Sequence, residues 1–227
     1  MRVVITSGGT EEAIDGVRSI TNTSTGSTGA AIAEKFIRNG AGVVYVHAKR
    51  ALKPSSLCEM VQFSDFRSLD AELSELLSHQ NFDAIIHAAA VADYSVAGIK
   101  TGEKILVPSA ASKIESDSEG EVSLILKKNF KIIARLREYS LNKKIAVIGF
   151  KLTNTPDERL RSEAVKNLFA KGHADFVAHN DLSAINEVSH TVSLYSKNGI
   201  ITVFKTKEEL AEGLYSLVAR ILKGEIS

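Results

Sequence analysis

Two stretches near the N-terminus, rich in glycine and hydroxyl residues, could do chemistry. Ser7-Gly8-Gly9-Thr10 follows the apolar residues 3–5. Lacking Cβ atoms at its centre, this backbone lets a ligand approach closely, although a tight strand-to-helix turn explains the same tetrapeptide. Asn22-Thr23-Ser24-Thr25-Gly26-Ser27-Thr28-Gly29 then opens an apolar segment. Ser24-x-Gly26-x-x-Gly29 has the dinucleotide-fingerprint spacing with serine at the first glycine, and amides exposed at such a helix start bind phosphates. A helix start capped by its own hydroxyls is the bland alternative. No Gly-Lys-Ser/Thr sequence occurs, which excludes a Walker-type phosphate loop.

A second chemistry competes for those phosphates. Tyr139-x-x-x-Lys143 has the spacing of the catalytic pair of short-chain oxidoreductases, and Lys49-Arg50 offers charge for the 2′-phosphate of NADP. The first turn lacks the Thr-Gly-x-x-x-Gly-x-Gly spacing of that family, and Tyr139 sits in a polar segment at residues 137–144 that reads as a helix end. A surface Tyr/Lys pair is the better explanation.

The elements that must position these groups are legible as alternating periods. Continuous apolar runs at residues 3–5, 42–46, 83–87, 145–149 and 174–178 read as strands covered on both faces of a parallel sheet. Helical spacing of apolar residues marks 29–39, 68–79 and 156–172, with Leu160, Ala164, Val165 and Leu168 on the apolar face of the last. Alternation of this kind predicts an α/β, Rossmann-like, doubly wound, mainly parallel sheet. Near the end, residues 192–195 and 199–204 flank an Asn-Gly hairpin signal, and Thr206-x-x-Glu209 reads as a capping box opening a final helix. Residues from about 94 to 121 read as a long loop or flap beside a short hairpin, and a loop of that length is usually functional or disordered. The expectation is a single domain over residues 1–227.

Composition narrows the partners. With 28 Lys+Arg against 27 Asp+Glu among 227 residues, the chain has no long-range field to retain a polyanion, so nucleic acid and acidic membranes are poor default partners. Its one cysteine, Cys58, makes no internal disulfide and is read as structural, and no Cys/His cluster has zinc-ligand spacing. There is neither a signal-peptide pattern nor an 18-residue apolar run. A cytoplasmic protein is expected.

Further segments follow in a fixed order: Ala88-Ala89-Ala90-Val91-Ala92-Asp93-Tyr94, Ser112-Lys113-Ile114, residues 148–153 (Ile-Gly-Phe-Lys-Leu-Thr) and Ala178-His179-Asn180-Asp181. With Ser7-Gly8-Gly9-Thr10 and residues 20–26 (Ile-Thr-Asn-Thr-Ser-Thr-Gly) ahead of them, the chain resembles the phosphopantothenate-cysteine ligases, in the stand-alone bacterial form, over essentially its whole length.

That resemblance implies a reaction. The carboxylate of 4′-phosphopantothenate attacks the α-phosphate of CTP with release of pyrophosphate, and the amine of L-cysteine then displaces CMP to give 4′-phosphopantothenoylcysteine. It also implies Mg²⁺ and a homodimer with shared active sites. By the same resemblance Asn22 holds the pantothenoyl portion and the acyl intermediate, and Lys113 is the catalytic lysine of the flap. Gly8, Ser24, Gly26 and Gly29 bind the triphosphate, Phe150 and Asn180 line the base and ribose, and Ala89, Ala90 and Asp93 contact pantothenate. Many relatives carry Lys-Ile-Lys-Lys where this chain reads Lys113-Ile114-Glu115-Ser116, so Lys113 is the only lysine of its motif. His179 stands where a small or apolar residue is expected, and no acid-base role follows from it.

Overall fold

The first strand, β1 (Arg2–Ser7), is buried from its second residue on, because helices cover both faces of the sheet it belongs to. A computed structural model describes every residue except 109–112, 114–120, 171, 185–190 and 227. After β1 come β2 (Glu11–Ala13), β3 (Ser19–Thr21), α1 (Ser27–Arg38), β4 (Gly42–Ala48), β5 (Glu59–Phe63), α2 (Phe66–His79) and β6 (Ala84–His87). Then follow β7 (Tyr94–Thr101), β8 (Lys104–Leu106), β9 (Val122–Lys128), α3 (Leu136–Tyr139), β10 (Ala146–Thr153) and α4 (Glu158–Ala170). The chain ends with β11 (Phe176–Asp181), β12 (Val192–Ser196), β13 (Gly199–Phe204) and α5 (Lys207–Leu222).

Among the described residues, the main sheet has eight strands in the order β13-β12-β11-β10-β6-β1-β4-β5. The six from β5 to β11 are parallel, whereas β12 and β13 return antiparallel. From β1 the chain builds outward to β4 and β5, then crosses back and builds outward through β6, β10 and β11. The strand order therefore reverses between β1 and β6, and the crevice above their carboxyl ends is where open α/β sheets bind ligands.

Alternate residues of each strand enter opposite cores. Val4, Val44, Ile85 and Val147 join α2, and Val3, Ile5, Ile86 and Ile148 join α1 and α5. This two-faced burial is why the strand sequences show no polar alternation.

Several sequence expectations are corrected. The flap assigned to about 94–121 is not one loop: β7 and β8 occupy residues 94–101 and 104–106, and with β9 they form a separate three-stranded antiparallel sheet in the order β8-β7-β9. A further strand, β5, lies between the second predicted strand and the second helix. Cys58 directly precedes it, half-buried, its thiol pushed up by burial and by the Glu34 and Glu59 carboxylates. Leu160 is 52% exposed rather than on the buried face of α4. The second helix begins at Phe66, two residues earlier than its apolar period, because Asp65 and Ser68 form a capping box. At α5 the box is only half closed: Thr206 accepts from Glu209 N–H, but the Glu209 carboxylate accepts from Lys205 N–H.

Glu34 on α1 holds the turn after β4. Its carboxylate accepts from Ser55 N–H at 2.8 Å, Ser56 N–H at 2.9 Å and the Ser56 hydroxyl at 2.8 Å, and pairs with Arg38. The Ser56 hydrogen bonds, foremost the one from its backbone, hold the pKa down at about 2. A lowered native pKa stabilises the fold above the unfolded carboxylate range and loses that contribution as pH falls through the native value. Glu34→Gln is expected to cost about 1–2 kcal/mol at pH 7. In urea titrations the difference from wild type should shrink as pH drops from about 4.5 toward 2.

Candidate active site

The segments leaving β1 and β6 are laced together at the strand-order reversal. Ala89 N–H donates to Thr6 Oγ1 at 3.0 Å, Ala90 N–H to the Gly8 carbonyl at 2.8 Å, Thr10 N–H to the Ala90 carbonyl at 3.1 Å, and Ala92 N–H to Thr10 Oγ1 at 3.0 Å. The predicted phosphate turn and the predicted substrate segment thus share one wall. Beneath them, His87 is buried, and desolvation pushes its pKa down to about 4. Thr6 Oγ1, which accepts from Ala89 N–H, also shares a hydrogen bond with His87 Nδ1 at 3.0 Å, its direction set by the tautomer of the neutral ring.

Gly8, Gly26 and Gly29 meet around Ser7. Gly8 has φ +86°, and a Cβ there would fall 2.6 Å from Ala48 Cβ and 2.8 Å from Ala51 Cβ. Gly26 has φ +74°, and a Cβ would lie 2.8 Å from both Ala51 Cβ and Ser7 Oγ. A Cβ on Gly29 would collide with Ser7 Oγ and Cβ. Ser7 Oγ donates to the Gly26 carbonyl at 2.9 Å, pinning the start of α1 to the end of β1. Gly26 is the N-cap and provides no side-chain acceptor, and the first turn has no acidic residue. The Ser27 N–H meets Thr25 Oγ1 at 3.4 Å, and the first turn of α1, the positive end of the helix dipole, has no carboxylate cap. Ser27 and Thr28 are half-buried and Ser24 is exposed, so the entrance is not sealed under packed side chains.

Asn22 joins this wall through its backbone: its N–H reaches the Thr10 carbonyl at 3.4 Å, and a Cβ on Gly9 would collide with the Asn22 carbonyl. Ala89 and Ala90 are half-buried and Asp93 is exposed. The Asp93 carboxylate forms an ion pair with Lys131. Asn129 fastens the same segment, donating from N–H to the Asp93 carbonyl at 2.8 Å and from Nδ2 to the Ala92 carbonyl at 3.1 Å. Asn129 and Lys131 escaped the sequence reading, because the positions they join lie 36–38 residues away and share no local period.

At the carboxyl end of β10 and β11, Phe150 pairs in register with Ala178, and Asn180 with Leu152; both are half-buried. Behind them His179 Nε2 lies 2.9 Å from Thr153 Oγ1, and its pKa is lowered chiefly by burial. The Asp181 carboxylate is held well below the usual range by hydrogen bonds from Ser183 and Thr153. Lys113 is exposed, and among the described residues no hydrogen bond or ion pair joins it to the other candidate residues. Ser112, Ile114, Glu115 and Ser116 lie outside the described residues.

The Tyr139/Lys143 pair does not assemble. The Tyr139 hydroxyl donates to Asp70 Oδ1 at 2.8 Å, Lys143 Nζ donates to the Glu138 carbonyl at 2.7 Å, and burial pushes the phenol upward, away from the range of a general base. Both residues precede β10, at the opposite edge of the sheet from Ser24 and Gly26, and Tyr139 packs toward α2.

This geometry has counterparts among known proteins. Residues 1–222 match the DNA/pantothenate metabolism flavoprotein C-terminal domain family. The coenzyme A biosynthesis bifunctional protein CoaBC of Thermococcus kodakarensis is 31% identical over 97% of this chain and 51% of its own length. The protein of the same name from Haemophilus influenzae is 31% identical over 94% of this chain and 50% of its own. The chain spans about half the length of these curated relatives. Among solved structures, the DNA/pantothenate metabolism flavoprotein from Streptococcus pneumoniae superposes with TM-score 0.84 at 34% identity, covering 97% of this chain and 99% of the other. The C-terminal domain of a CoaBC protein superposes with TM-score 0.72 at 27% identity, covering 98% and 96%.

The glycine cluster generates a stability ranking. Gly29→Val, which collides with Ser7, is expected to cost about 1–3 kcal/mol. Gly42→Ala, whose nearest neighbour to a new Cβ is 3.5 Å away, should be within about 0.5 kcal/mol of wild type. Urea denaturation checks both, and equal costs would show that the close approach at Ser7 is not constraining.

Proposed function

The chain belongs to the DNA/pantothenate metabolism flavoprotein C-terminal domain family, and from that membership we propose that it is a CTP-dependent phosphopantothenate-cysteine ligase. The observation that carries this reading is the lacing of the β1 and β6 segments at the strand-order reversal, beside a helix start that has no carboxylate cap. A phosphate-binding turn and an acid-substrate segment within one wall suit a reaction in which a carboxylate attacks a nucleotide phosphate.

In the proposed sequence, a carboxylate oxygen of 4′-phosphopantothenate attacks the α-phosphorus of CTP. The bond to the bridging oxygen breaks, and pyrophosphate leaves with the electron pair. The amine of L-cysteine then attacks the acyl carbon, the acyl–oxygen bond breaks, CMP departs, and the amine proton passes to solvent. The amides at the start of α1, with Gly8, Ser24, Gly26 and Gly29, receive the phosphates. Their dipoles are fixed in place before charge develops, so little reorganisation opposes the transfer. Asn22 offers a neutral amide to the acyl carbonyl, which polarises it without trapping a charged product. Lys113 brings an ammonium to the charge that develops on the acyl-nucleotide. Phe150 and Asn180 border the base and ribose. Ala89 and Ala90 leave room for the pantothenate arm, and Asp93 accepts from its hydroxyl or amide once Lys131 yields.

Mg²⁺ fits this site as a companion of the triphosphate. Among the described residues no group of three or more His, Cys, Asp or Glu converges, and Mg²⁺ commonly takes substrate phosphates and water with few protein ligands. When bound it would neutralise phosphate charge. Exposed apolar side chains on the three-stranded sheet, Ile105, Ile125 and Leu126, support a homodimer in which that sheet meets a second copy. Among the described residues no helix is long and apolar enough to cross a membrane, and the proposed substrates are those of a cytoplasmic enzyme.

The test is pyrophosphate release. It should require both phosphopantothenate and CTP, fall at least about 100-fold in Asn22→Asp and Lys113→Ala, and be unchanged in Tyr139→Phe. Release that is independent of phosphopantothenate would contradict the ligase. Phosphopantothenate-independent oxidation of NADPH, lost in Tyr139→Phe, would favour the oxidoreductase.

A further inference from the structure

A lysine from the last helix stands at the start of α1. The two helices pack in parallel: Lys207 meets Ser27, Lys35 pairs with Glu212, and the Phe36 ring meets Tyr215 edge-on at 5.4 Å. Both N-termini therefore lie at the same edge of the sheet, the one that carries the glycine cluster. Lys207 Nζ donates to Ser27 Oγ at 2.8 Å across 180 residues of sequence.

For the protein alone this ammonium has the wrong sign for its position. The start of a helix carries partial positive charge, and a cation there is disfavoured unless an anion joins it. α1 has no acidic residue in its first turn, and among the described residues no carboxylate pairs with Lys207. Ser27 Oγ also accepts from Thr25 Oγ1 at 3.2 Å. A hydroxyl has two acceptor positions and one proton, so with both acceptor positions occupied the Ser27 proton is left to donate. Ammonium and hydroxyl proton thus form one pair of donors at the positive end of α1.

We propose that Lys207, braced by Ser27, is a phosphate-binding residue for the triphosphate of the nucleotide substrate. The inference rests on the nucleotide site of the ligase reading and adds to it a cation that lies outside both the glycine motifs and the flap. Its role is in binding: the charge meets the phosphate chain, whereas the acyl chemistry is assigned to Asn22 and Lys113.

Calorimetric titration of the full chain with CTP, CMP and inorganic triphosphate tests it. Lys207→Met should weaken CTP and triphosphate about tenfold, leave CMP nearly unchanged, and flatten the salt dependence of CTP binding. Lys207→Arg should restore most of the affinity. Unchanged CTP affinity in a folded Lys207→Met would make the residue a strut between helices and overturn the proposal. Should that variant fail to fold, Ser27→Ala replaces it: a loss of about threefold in CTP affinity supports the proposal, and no loss overturns it. A wild-type chain that binds neither CTP nor triphosphate would overturn the nucleotide site itself, whereas wild-type binding with indifferent variants overturns only the role of Lys207.

Discussion

Four hydrogen bonds between β1 with the segment leaving it and the segment leaving β6 hold the candidate phosphate turn against the candidate substrate segment. A doubly wound sheet opens a crevice at its strand-order reversal, but the crevice alone sets no distance between its two lips. Here Thr6, Gly8 and Thr10 on one lip are bonded to Ala89, Ala90 and Ala92 on the other, so the lips move as one body. Asn129 extends the lacing to the three-stranded sheet through Ala92, Asp93 and Ser95. A substrate acid on one lip and a nucleotide on the other would then meet at a separation fixed by backbone bonding, which suits a reaction limited by orientation.

The second constraint is close packing around Ser7. Three glycines allow the end of β1, the start of α1 and the turn after β4 to approach until a single added Cβ collides. That approach leaves the start of α1 without a carboxylate cap, and the parallel packing of α5 brings a second helix start and Lys207 to the same edge. α5 carries Glu208 and Glu209 in its own first turn, whereas α1 has no acidic residue in its first turn, and a positive end of that kind is one that an anion completes. The neutral His87 below adds no charge to the wall and shares a hydrogen bond with Thr6, which accepts from Ala89 N–H.

Much of this was legible in the residues. Five strands announce themselves because burial on both faces removes polar alternation, and Gly8, Gly26 and Gly29 fall together at one strand end. β5 was missed because it is an edge strand whose residues are mostly exposed, so Glu59-Met60-Val61-Gln62-Phe63 lacks an apolar run. β7 was missed because Gly98 and its polar neighbours resemble loop chemistry, and its strand character comes from pairing with β9. A polar pair directly after the apolar β9 was the one signal that could have pointed to Asn129 and Lys131. Lys207 had none, since its partner is 180 residues away and only the packing of α5 on α1 joins them.

Backbone amide resonances offer the most direct view of the central claim, that the open start of α1 is the phosphate site. Titrating the ¹⁵N-labelled chain with inorganic triphosphate should produce saturable shifts largest at Ser27, Thr28 and Gly29, with Gly8 following, as phosphate charge reaches the first turn. Saturable shifts concentrated elsewhere, with these four resonances unmoved, would contradict the account.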